Sequence, residues 1–343
     1  MKNIIVVLFI FFQTSVSAQT YFFNKLFKPD TLSLGAVVTH TLDNAYIVAG
    51  PYISTNLEEG FYVRKLDLYG ETKWFKTFES GQHDIFAIGG GILTKTYNNT
   101  YILVGSRTYE DDELNQDVVM INFTENGEHL WTNIIAEPNG VEYPYHISPT
   151  QDGGYILCGI QRSFTSNNHF YILKTDALGN KIWDKVLHED KKGAAFTIHE
   201  LSNQTGYIVS GYLYKEGSNI DADMYVACLD SNGLLKWEES YHDTPESDVA
   251  AQITPFNNNN YLLTGGFQQN NIYHLYLSLI DTLGTIIWEK EYLVNDVLGF
   301  QARNIIDNKN NIINEANRLG LSLEDVMKSI TEQDGDMWTT DEK

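Results

Sequence analysis

The chain has 343 residues and carries 45 acidic against 23 basic side chains, which gives a formal net charge of −22. A surface with this charge repels nucleic acid and anionic membranes, so neither is expected as a partner. We interpret the acidic side chains as a solvated surface, and we predict no metal site and no cofactor.

The N-terminus has the pattern of a secretory signal peptide. Lys2 precedes the apolar run 4–12, and Val16, Ser17 and Ala18 form a small-residue cleavage site. The run is shorter than the roughly 20 residues that a membrane-spanning helix needs. We therefore predict a signal peptide over residues 1–18. The mature protein is expected to reach the periplasm, the cell surface or the medium without inserting into a membrane.

The mature N-terminus begins with a segment that resembles the last strand of a repeat. Phe23–Phe27 places Phe23 where the repeats described next have tryptophan, 23 residues before Tyr46. A ring of repeated sheets must join its two ends, or two sheet edges stay open. We predict that this segment completes a sixth sheet with strands from the C-terminus. A ring closed by five sheets is the alternative.

A repeat of 51 to 57 residues follows and fills most of the chain. Each unit has a strand of the form Tyr-aliphatic-aliphatic-x-Gly and, 27 to 30 residues later, a tryptophan four positions after a glycine. The strands begin at Tyr46, Tyr101, Tyr155, Tyr207 and Tyr261, and the tryptophans are Trp74, Trp131, Trp183, Trp237 and Trp288. Short strands at this period are typical of β-propellers. We predict an all-β propeller of about six four-stranded blades over residues 19–313, five of them regular and the last irregular.

The third repeat shows the order of strands within one blade. In chain order it has a first strand near 145–149, a second strand Tyr155–Gly159, a polar loop 161–168, a third strand Phe170–Asp176 and a last strand with Trp183. The second strand is apolar on both faces, which predicts burial between neighbouring blades. The Asp-x-x-Gly turn before the last strand and the tryptophan after it are predicted to be structural, the ring acting as a wedge between blades.

Two further features concern the cysteines and the C-terminus. Cys158 and Cys228 fall in predicted buried strands, and we interpret them as small hydrophobic side chains and not as a disulfide. The repeat fails after Ile313. A capping box at 322–325 and apolar residues at helical spacing predict a short helix over 322–332 within an acidic tail, residues 314–343.

The motif from Gly153 to Trp183 resembles the propeller repeats of secreted bacterial surface proteins, many of them exported through a type IX system. The resemblance covers residues 20–313 and implies a fold and an exported protein. The Asp-x-x-Gly turn before the tryptophan is distantly similar to the tryptophan-docking motif of quinoprotein propellers. Those enzymes have a bound calcium and a catalytic aspartate, but no residue of this chain matches that aspartate by motif.

The loops after second strands and between blades are polar and variable, and they lie on one face of a propeller. Variable loops on a regular scaffold are where binding residues concentrate. The candidate binding residues on this face are Tyr109, Asp111, Asp112, His188, Asp190, Tyr212, Tyr214, His242 and Asp243.

No short catalytic motif is present in the sequence. We therefore predict a monomeric, non-enzymatic module that binds a protein or a glycan. The alternative is a glycoside-active or quinoprotein-like enzyme on the same scaffold, with catalytic residues that the sequence leaves unknown.

Overall fold

The computed structural model describes residues 32–33, 37–53, 59–78, 84–86, 92–109, 112–136, 140–163, 167–218, 221–241, 248–257, 259–269 and 272–294. These residues form strands, turns and loops, and no helix occurs among them. The described part of the chain accordingly contains no helix long and apolar enough to cross a membrane. The predicted strand at Phe23–Phe27, the sixth blade, the helix at 322–332 and the boundaries at residues 18 and 313 lie outside this part.

The described strands form five antiparallel blades, each with its strands in chain order from the inner to the outer edge. Blade 1 consists of β1 (Leu32–Ser33), β2 (Val37–His40), β3 (Tyr46–Ile53), β4 (Glu59–Leu66) and β5 (Thr72–Phe78). Blade 2 consists of β6 (Asp84–Phe86), β7 (Ile92–Lys95), β8 (Tyr101–Tyr109), β9 (Asp112–Phe123) and β10 (His129–Ile135). In these two blades the inner strand is divided in two. Each half pairs with a different part of the second strand.

The remaining three blades each have four continuous strands. Blade 3 consists of β11 (Gly140–Pro149), β12 (Tyr155–Ser163), β13 (Asn168–Thr175) and β14 (Lys181–Leu187). Blade 4 consists of β15 (Gly193–Glu200), β16 (Gly206–Tyr214), β17 (Ala222–Asp230) and β18 (Leu235–Tyr241). Blade 5 consists of β19 (Asp248–Asn257), β20 (Asn260–Gln269), β21 (Ile272–Asp281) and β22 (Ile286–Val294).

Inner strands of successive blades lie against one another. Contacts run from β2 to β7, from β7 to β11, from β11 to β15 and from β15 to β19. Blades 2 and 3 are also joined by one parallel pairing, Val141 of β11 with Gln116 of β9. The protein is therefore a β-propeller of four-stranded blades, as the repeat predicts.

The second and third strands extend further than the sequence pattern predicts. In blade 3, Gln161 pairs with His169 and Arg162 pairs with Asn168, so that β12 continues to Ser163. Part of the predicted polar loop 161–168 is thus strand, because main-chain pairing continues after the apolar pattern ends. This extension carries polar side chains to the edge of the blade.

The repeated turn before the last strand is structural, as predicted. In blade 3, Oδ1 of Asp176 accepts hydrogen bonds from the backbone N–H groups of Leu178 and Asn180, at 2.9 and 2.8 Å. Gly179 has a φ of 80°, a left-handed conformation that glycine adopts without a steric penalty. The same hydrogen bonds recur at Asp67, Asp230 and Asp281. Turn geometry accounts for this motif without a ligand.

The repeated tryptophan packs against the turn of the next blade, which confirms the predicted wedge. A Cβ added to Gly233 of blade 4 would lie 2.9 Å from the ring of Trp183 in blade 3. The indole Nε1 of Trp183 donates a hydrogen bond to the carbonyl oxygen of Ser231 at 3.3 Å, and its ring lies 5.9 Å from that of Tyr207. The same packing joins Trp74 to Gly127, Trp131 to Gly179 and Trp237 to Gly284. Four of the five tryptophans thus connect blades 1 to 4 each to the next blade.

The glycine that ends the Tyr-aliphatic-aliphatic-x-Gly strand faces a β-bulge in the inner strand. In blade 4 the pairing shifts between Ala195 and Thr197, opposite Gly211. A Cβ on Gly211 would lie 1.9 Å from the carbonyl oxygen of Ala194. Blade 3 has the same arrangement, since a Cβ on Gly159 would lie 1.9 Å from the carbonyl oxygen of Tyr143. In blades 3 and 4 the strand signature therefore requires glycine because the bulged backbone passes directly over it. In blade 2 a Cβ on Gly105 would instead lie 2.1 Å from the ring of Phe61.

Four apolar cores fill the spaces between successive blades. The predicted burial of the second strands is confirmed, and Ile156 and Leu157 are almost completely buried. Cys158 lies in the core between blades 3 and 4, and Cys228 lies in the core between blades 4 and 5. Both are buried free thiols, which matches their interpretation as small hydrophobic side chains.

Two histidines connect the inner strands of blades 3, 4 and 5. Nδ1 of His146 accepts a hydrogen bond from the backbone N–H of Ile198 at 3.3 Å. Nε2 of His199 donates to the carbonyl oxygen of Ile253 at 3.1 Å, and the two rings are 5.0 Å apart. Burial lowers the pKa of His146 to about 4. Burial and the neighbouring His146 lower the pKa of His199 to about 3, so both rings are neutral in the folded protein near neutral pH.

We expect the free energy of unfolding to decrease as the pH falls from about 6.5 towards 5. The unfolded chain binds protons on these histidines below about pH 6.5, whereas the folded protein does not until about pH 4. Each histidine then contributes a loss of up to about 1.4 kcal/mol per pH unit. Urea unfolding at about pH 7, 6 and 5 measures this slope.

The comparison variant is His146→Gln with His199→Gln, which removes both titrating groups and keeps polar atoms at both positions. Carboxylates of the unfolded chain titrate near pH 4, so they contribute little above about pH 5. The wild-type slope should therefore exceed that of the variant. Equal slopes would contradict the assignment of the two buried neutral rings.

Candidate functional site

The face that carries the loops after second strands and between blades is termed the upper face. His188 and Asp190 lie there in the connection between β14 and β15, and Tyr212 and Tyr214 lie at the end of β16. Tyr109 ends β8, and its backbone pairs with that of Asp112 at the start of β9. Asp111, His242 and Asp243 lie outside the described residues.

Four aromatic rings form a continuous series between blades 3 and 4, which is termed the aromatic ladder. The ring centroids of Tyr145 and Phe196 are 5.6 Å apart, and those of Phe196 and Tyr212 are 5.5 Å apart. Tyr212 continues to Tyr214 at 5.6 Å in an edge-on contact. All four side chains are half-buried, so each ring keeps some exposed surface.

The two β-bulges position the inner half of the ladder. Tyr145 lies at the register shift between Pro144 and His146, and Phe196 lies at the shift between Ala195 and Thr197. A bulge redirects a side chain out of the regular alternation of the strand. Burial and the neighbouring Tyr214 and Tyr145 raise the pKa of Tyr212 to about 12, so its hydroxyl is a hydrogen-bond donor at neutral pH.

A cavity of about 330 Å³ adjoins the outer half of the ladder and is termed the tyrosine cavity. Its lining residues come from blades 3 and 4 and are Arg162, Asn167, Asn168, Lys192, Gly193, Tyr212 and Tyr214. This set combines aromatic surface with amide, hydroxyl and cationic hydrogen-bond donors. Its volume is at the lower end of the range of ligand pockets, about 300–1,000 Å³.

The loop that carries Lys192 is anchored to both blades. The backbone N–H of Lys191 donates to the carbonyl oxygen of His188 at 2.9 Å, which closes the turn. Nδ1 of His169 in blade 3 donates to the carbonyl oxygen of Lys191 at 3.1 Å. The backbone N–H of Tyr214 in blade 4 donates to the carbonyl oxygen of Lys192 at 2.9 Å. These bonds hold the backbone of the loop in place between the two blades.

A second cavity, of about 270 Å³, shares Tyr214 with the first and is termed the histidine cavity. Nε2 of His188 lies 2.7 Å from Oε2 of Glu238 and 3.2 Å from the hydroxyl of Tyr225, which donates a short hydrogen bond to the same carboxylate oxygen. Burial opposes ionisation of Glu238, but the hydrogen bonds from Tyr225 and His188 outweigh it and lower its pKa. The cluster has the residue types of an acid–base site.

The tyrosine–glutamate pair of this cluster recurs in the next blade. In blade 5 the hydroxyl of Tyr276 donates to Oε2 of Glu289 at 2.8 Å. Tyr276 pairs with Gly265 as Tyr225 pairs with Gly211, and each glutamate follows the repeated tryptophan. A pair that recurs from blade to blade is explained if its hydrogen bond links the third strand to the last strand of the same blade. This recurrence favours a structural role for Tyr225 and Glu238.

Two aspartates at the upper end of blade 4 are paired with a lysine, and one of them, Asp223, also lines the histidine cavity beside Glu238 and Glu239. Nζ of Lys215 lies 3.3 Å from a carboxylate oxygen of Asp221 and 3.3 Å from one of Asp223. Asp190 is exposed and lines neither cavity. Within the described ranges, no group of three or more His, Cys, Asp or Glu side chains is arranged to hold a metal ion.

Sequence reasoning missed several residues that form the site. Tyr145, Phe196, Arg162 and Lys192 all contribute to the ladder or the tyrosine cavity. The available signal for Tyr145 and Phe196 was the glycine of the second strand, since a glycine inside a strand indicates a bulge opposite. No comparable signal marks Arg162, because its place in the cavity depends on an extended strand beyond the apolar pattern.

Comparisons with known proteins show a fold and no family. No protein-family model matches the chain, and no curated protein matches it. A polysaccharide lyase described as an ulvan lyase bound to -[GlcA(1-4)Rha3S]- is similar in structure, with a TM-score of 0.50, 10% identity and coverage of 79% of this chain and 72% of the lyase. This likeness shows a shared fold.

Two further solved structures match at lower scores. A protein of unknown function from Dyadobacter fermentans has a TM-score of 0.49 at 12% identity, covering 78% of this chain and 84% of that one. An α-L-arabinanase of Penicillium chrysogenum, complexed with arabinobiose, has a TM-score of 0.45 at 12% identity, covering 78% of this chain and 94% of that one.

Proposed function

We propose that the protein is an exported, non-enzymatic propeller that binds a glycan at the aromatic ladder and the tyrosine cavity. The observation that carries the proposal is the series of four half-buried rings beside a cavity rich in hydrogen-bond donors. Sugar rings offer apolar C–H faces for packing on aromatic rings, and their hydroxyl groups need polar partners around that contact.

The ladder is also placed where a chain-like ligand could reach it. Tyr145 and Phe196 lie on inner strands, whereas Tyr212 and Tyr214 lie at the upper end of β16. The ladder therefore runs from the middle of the blades to the loop-rich face, and the tyrosine cavity opens beside its outer end. Export after cleavage near Ala18 would bring this surface into contact with extracellular polysaccharide.

We expect Tyr212→Ala and Tyr214→Ala to weaken glycan binding by roughly tenfold or more each, because each substitution removes about 1–2 kcal/mol of aromatic contact. Binding would be identified on a glycan array with the full mature chain and then measured by calorimetry. Tyr69→Ala is the matched control, since Tyr69 is 55% exposed in the turn between β4 and β5, on the opposite face.

Two results would overturn the proposal. One is that no glycan of the array binds, or that the glycan that binds has the same affinity for the wild type and for Tyr212→Ala. The other is turnover of a polysaccharide that is lost in Glu238→Gln but kept in Glu289→Gln. The two substitutions remove equivalent tyrosine–glutamate hydrogen bonds, so their structural effects should be similar. A loss of turnover in Glu238→Gln alone would therefore assign acid–base catalysis to the histidine cavity.

A further inference from the structure

The charge of the tyrosine cavity is opposite to that of the chain. The formal net charge of the protein is −22, yet the seven lining residues that the structure describes include Arg162 and Lys192 and no acidic side chain. Lys191, the preceding residue, lines the histidine cavity and not this one. A cationic cavity on an acidic protein attracts anions to one place and repels them from the rest of the surface.

Two lysines of the propeller are buried and bound by carboxylates, and neither lines this cavity. Lys65 is 5% exposed and is bound by Asp43 and Glu125, at 2.9 and 2.6 Å. Lys174 is 2% exposed and lies 2.9 Å from Asp152. Both lie at the ends of third strands, on the face opposite the cavity, where they link neighbouring turns. Arg162 is exposed and Lys192 is half-buried, and both line the cavity.

The surroundings and the lining of the cavity limit the kind of anion that can bind there. A long uniform polyanion such as nucleic acid would extend from the cavity onto acidic surface, where repulsion opposes its binding. A saccharide unit with one anionic group needs only a local cationic contact, and its ring can lie on Tyr212 or Tyr214 while its hydroxyl groups meet Asn167 and Asn168. Arginine in particular matches the planar oxygens of a carboxylate or the oxygens of a sulfate ester.

We infer that the tyrosine cavity recognises an anionic saccharide unit, one that carries a carboxylate or a sulfate ester, within the glycan bound by the ladder. This inference rests on the proposed function and names its ligand class. Arg162 and Lys192 bind the anionic group, and Tyr212 and Tyr214 bind the sugar ring. Hydrogen bonds from His169 and Tyr214 fix the backbone at Lys191 and Lys192, which reduces the main-chain entropy lost on binding.

The test measures binding of the full mature chain to pairs of oligosaccharides that share a backbone and differ in charge. One pair is an oligogalacturonate and its methyl ester, and the other is a sulfated galactan oligosaccharide and its desulfated form. These two arms distinguish a carboxylate ligand from a sulfate ligand. We expect one charged form to bind roughly tenfold or more tightly than its neutral counterpart, with an affinity that falls as salt is raised.

The variant for this test is Arg162→Gln with Lys192→Gln, and the control is Lys236→Gln, which removes the same type of charge from an exposed site on β18. The double variant should lose the preference for the charged form, whereas the control should keep it. Equal loss in both variants, or equal binding of charged and neutral forms, would overturn the inference. If a neutral glycan binds as well as the charged one and Tyr212→Ala abolishes that binding, the inference fails but the proposed function stands. If no glycan binds, the inference and the proposed function both fail.

Discussion

Trp183→Ala is expected to lower the free energy of unfolding by about 2–3 kcal/mol, less than the roughly 3–5 kcal/mol lost when a fully buried aromatic side chain is truncated, because Trp183 is partly buried. The ring of Trp183 lies against Gly233 and Tyr207 of the following blade, and Nε1 donates to the carbonyl oxygen of Ser231. Its removal leaves a gap between blades 3 and 4 and one carbonyl oxygen without this donor. Urea unfolding of the full chain measures the loss.

Ile182→Ala is the matched control, because Ile182 is the preceding residue of β14 and is 56% exposed. It should change the free energy of unfolding by less than about 0.5 kcal/mol, as is usual for exposed positions. Comparable losses in both variants would contradict the wedge and indicate a general weakness of β14.

A double-mutant cycle with Gly233→Ala isolates the contact itself. In the wild type the new methyl group would lie 2.9–3.1 Å from three atoms of the Trp183 ring, and the residue would also keep a φ of 76°. In the Trp183→Ala background only the backbone strain remains. The cost of Gly233→Ala should therefore be smaller there, by a coupling energy of roughly 1 kcal/mol or more.

The wedge, the turn and the second strand were predictable from the sequence because each recurs with the blade. A residue type that recurs at equivalent positions, such as Trp183 or Gly179, indicates a physical requirement that the blades share, namely the packing of one sheet against the next. The five described blades follow from that pattern, and so does the burial of Ile156 and its equivalents.

The site was only partly predictable because it depends on features that do not repeat. Tyr212 and Tyr214 were predicted as binding residues in the loop after a second strand, but Phe196 and Tyr145 lie in inner strands where no residue type recurs. Their contact arises from two bulges in neighbouring blades, and a period of 51 to 57 residues carries no information about a register shift. The buried Lys174 was missed for a related reason: its partner Asp152 lies 22 residues away, in the preceding hairpin.

Gly211→Ala is expected to affect both the scaffold and the site. Its Cβ would lie 1.9 Å from the carbonyl oxygen of Ala194 and 2.8 Å from the ring of Phe170, so the bulged backbone of β15 must move. Overpacking of this kind costs about 1–3 kcal/mol and sometimes more. Phe196 lies in that bulge and Tyr212 follows Gly211 directly, so glycan affinity should also fall roughly tenfold.

Gly217→Ala separates this effect from the general cost of replacing glycine. Gly217 has a φ of 74°, and an added Cβ would meet no atom within 4 Å. It should cost about 1–2 kcal/mol, from its left-handed backbone alone, and leave glycan binding unchanged.

Trp183→Ala provides the second comparison, since it weakens the scaffold at a distance from the ladder. Measured well below the melting temperature, it should retain glycan affinity although its loss of stability is comparable, whereas Gly211→Ala should not. If both variants lost affinity in proportion to their stability, the bulge would have no specific role in positioning Phe196. If Gly211→Ala alone lost it, the glycine that repeats for packing would also be the residue that holds the aromatic ladder in register for its ligand.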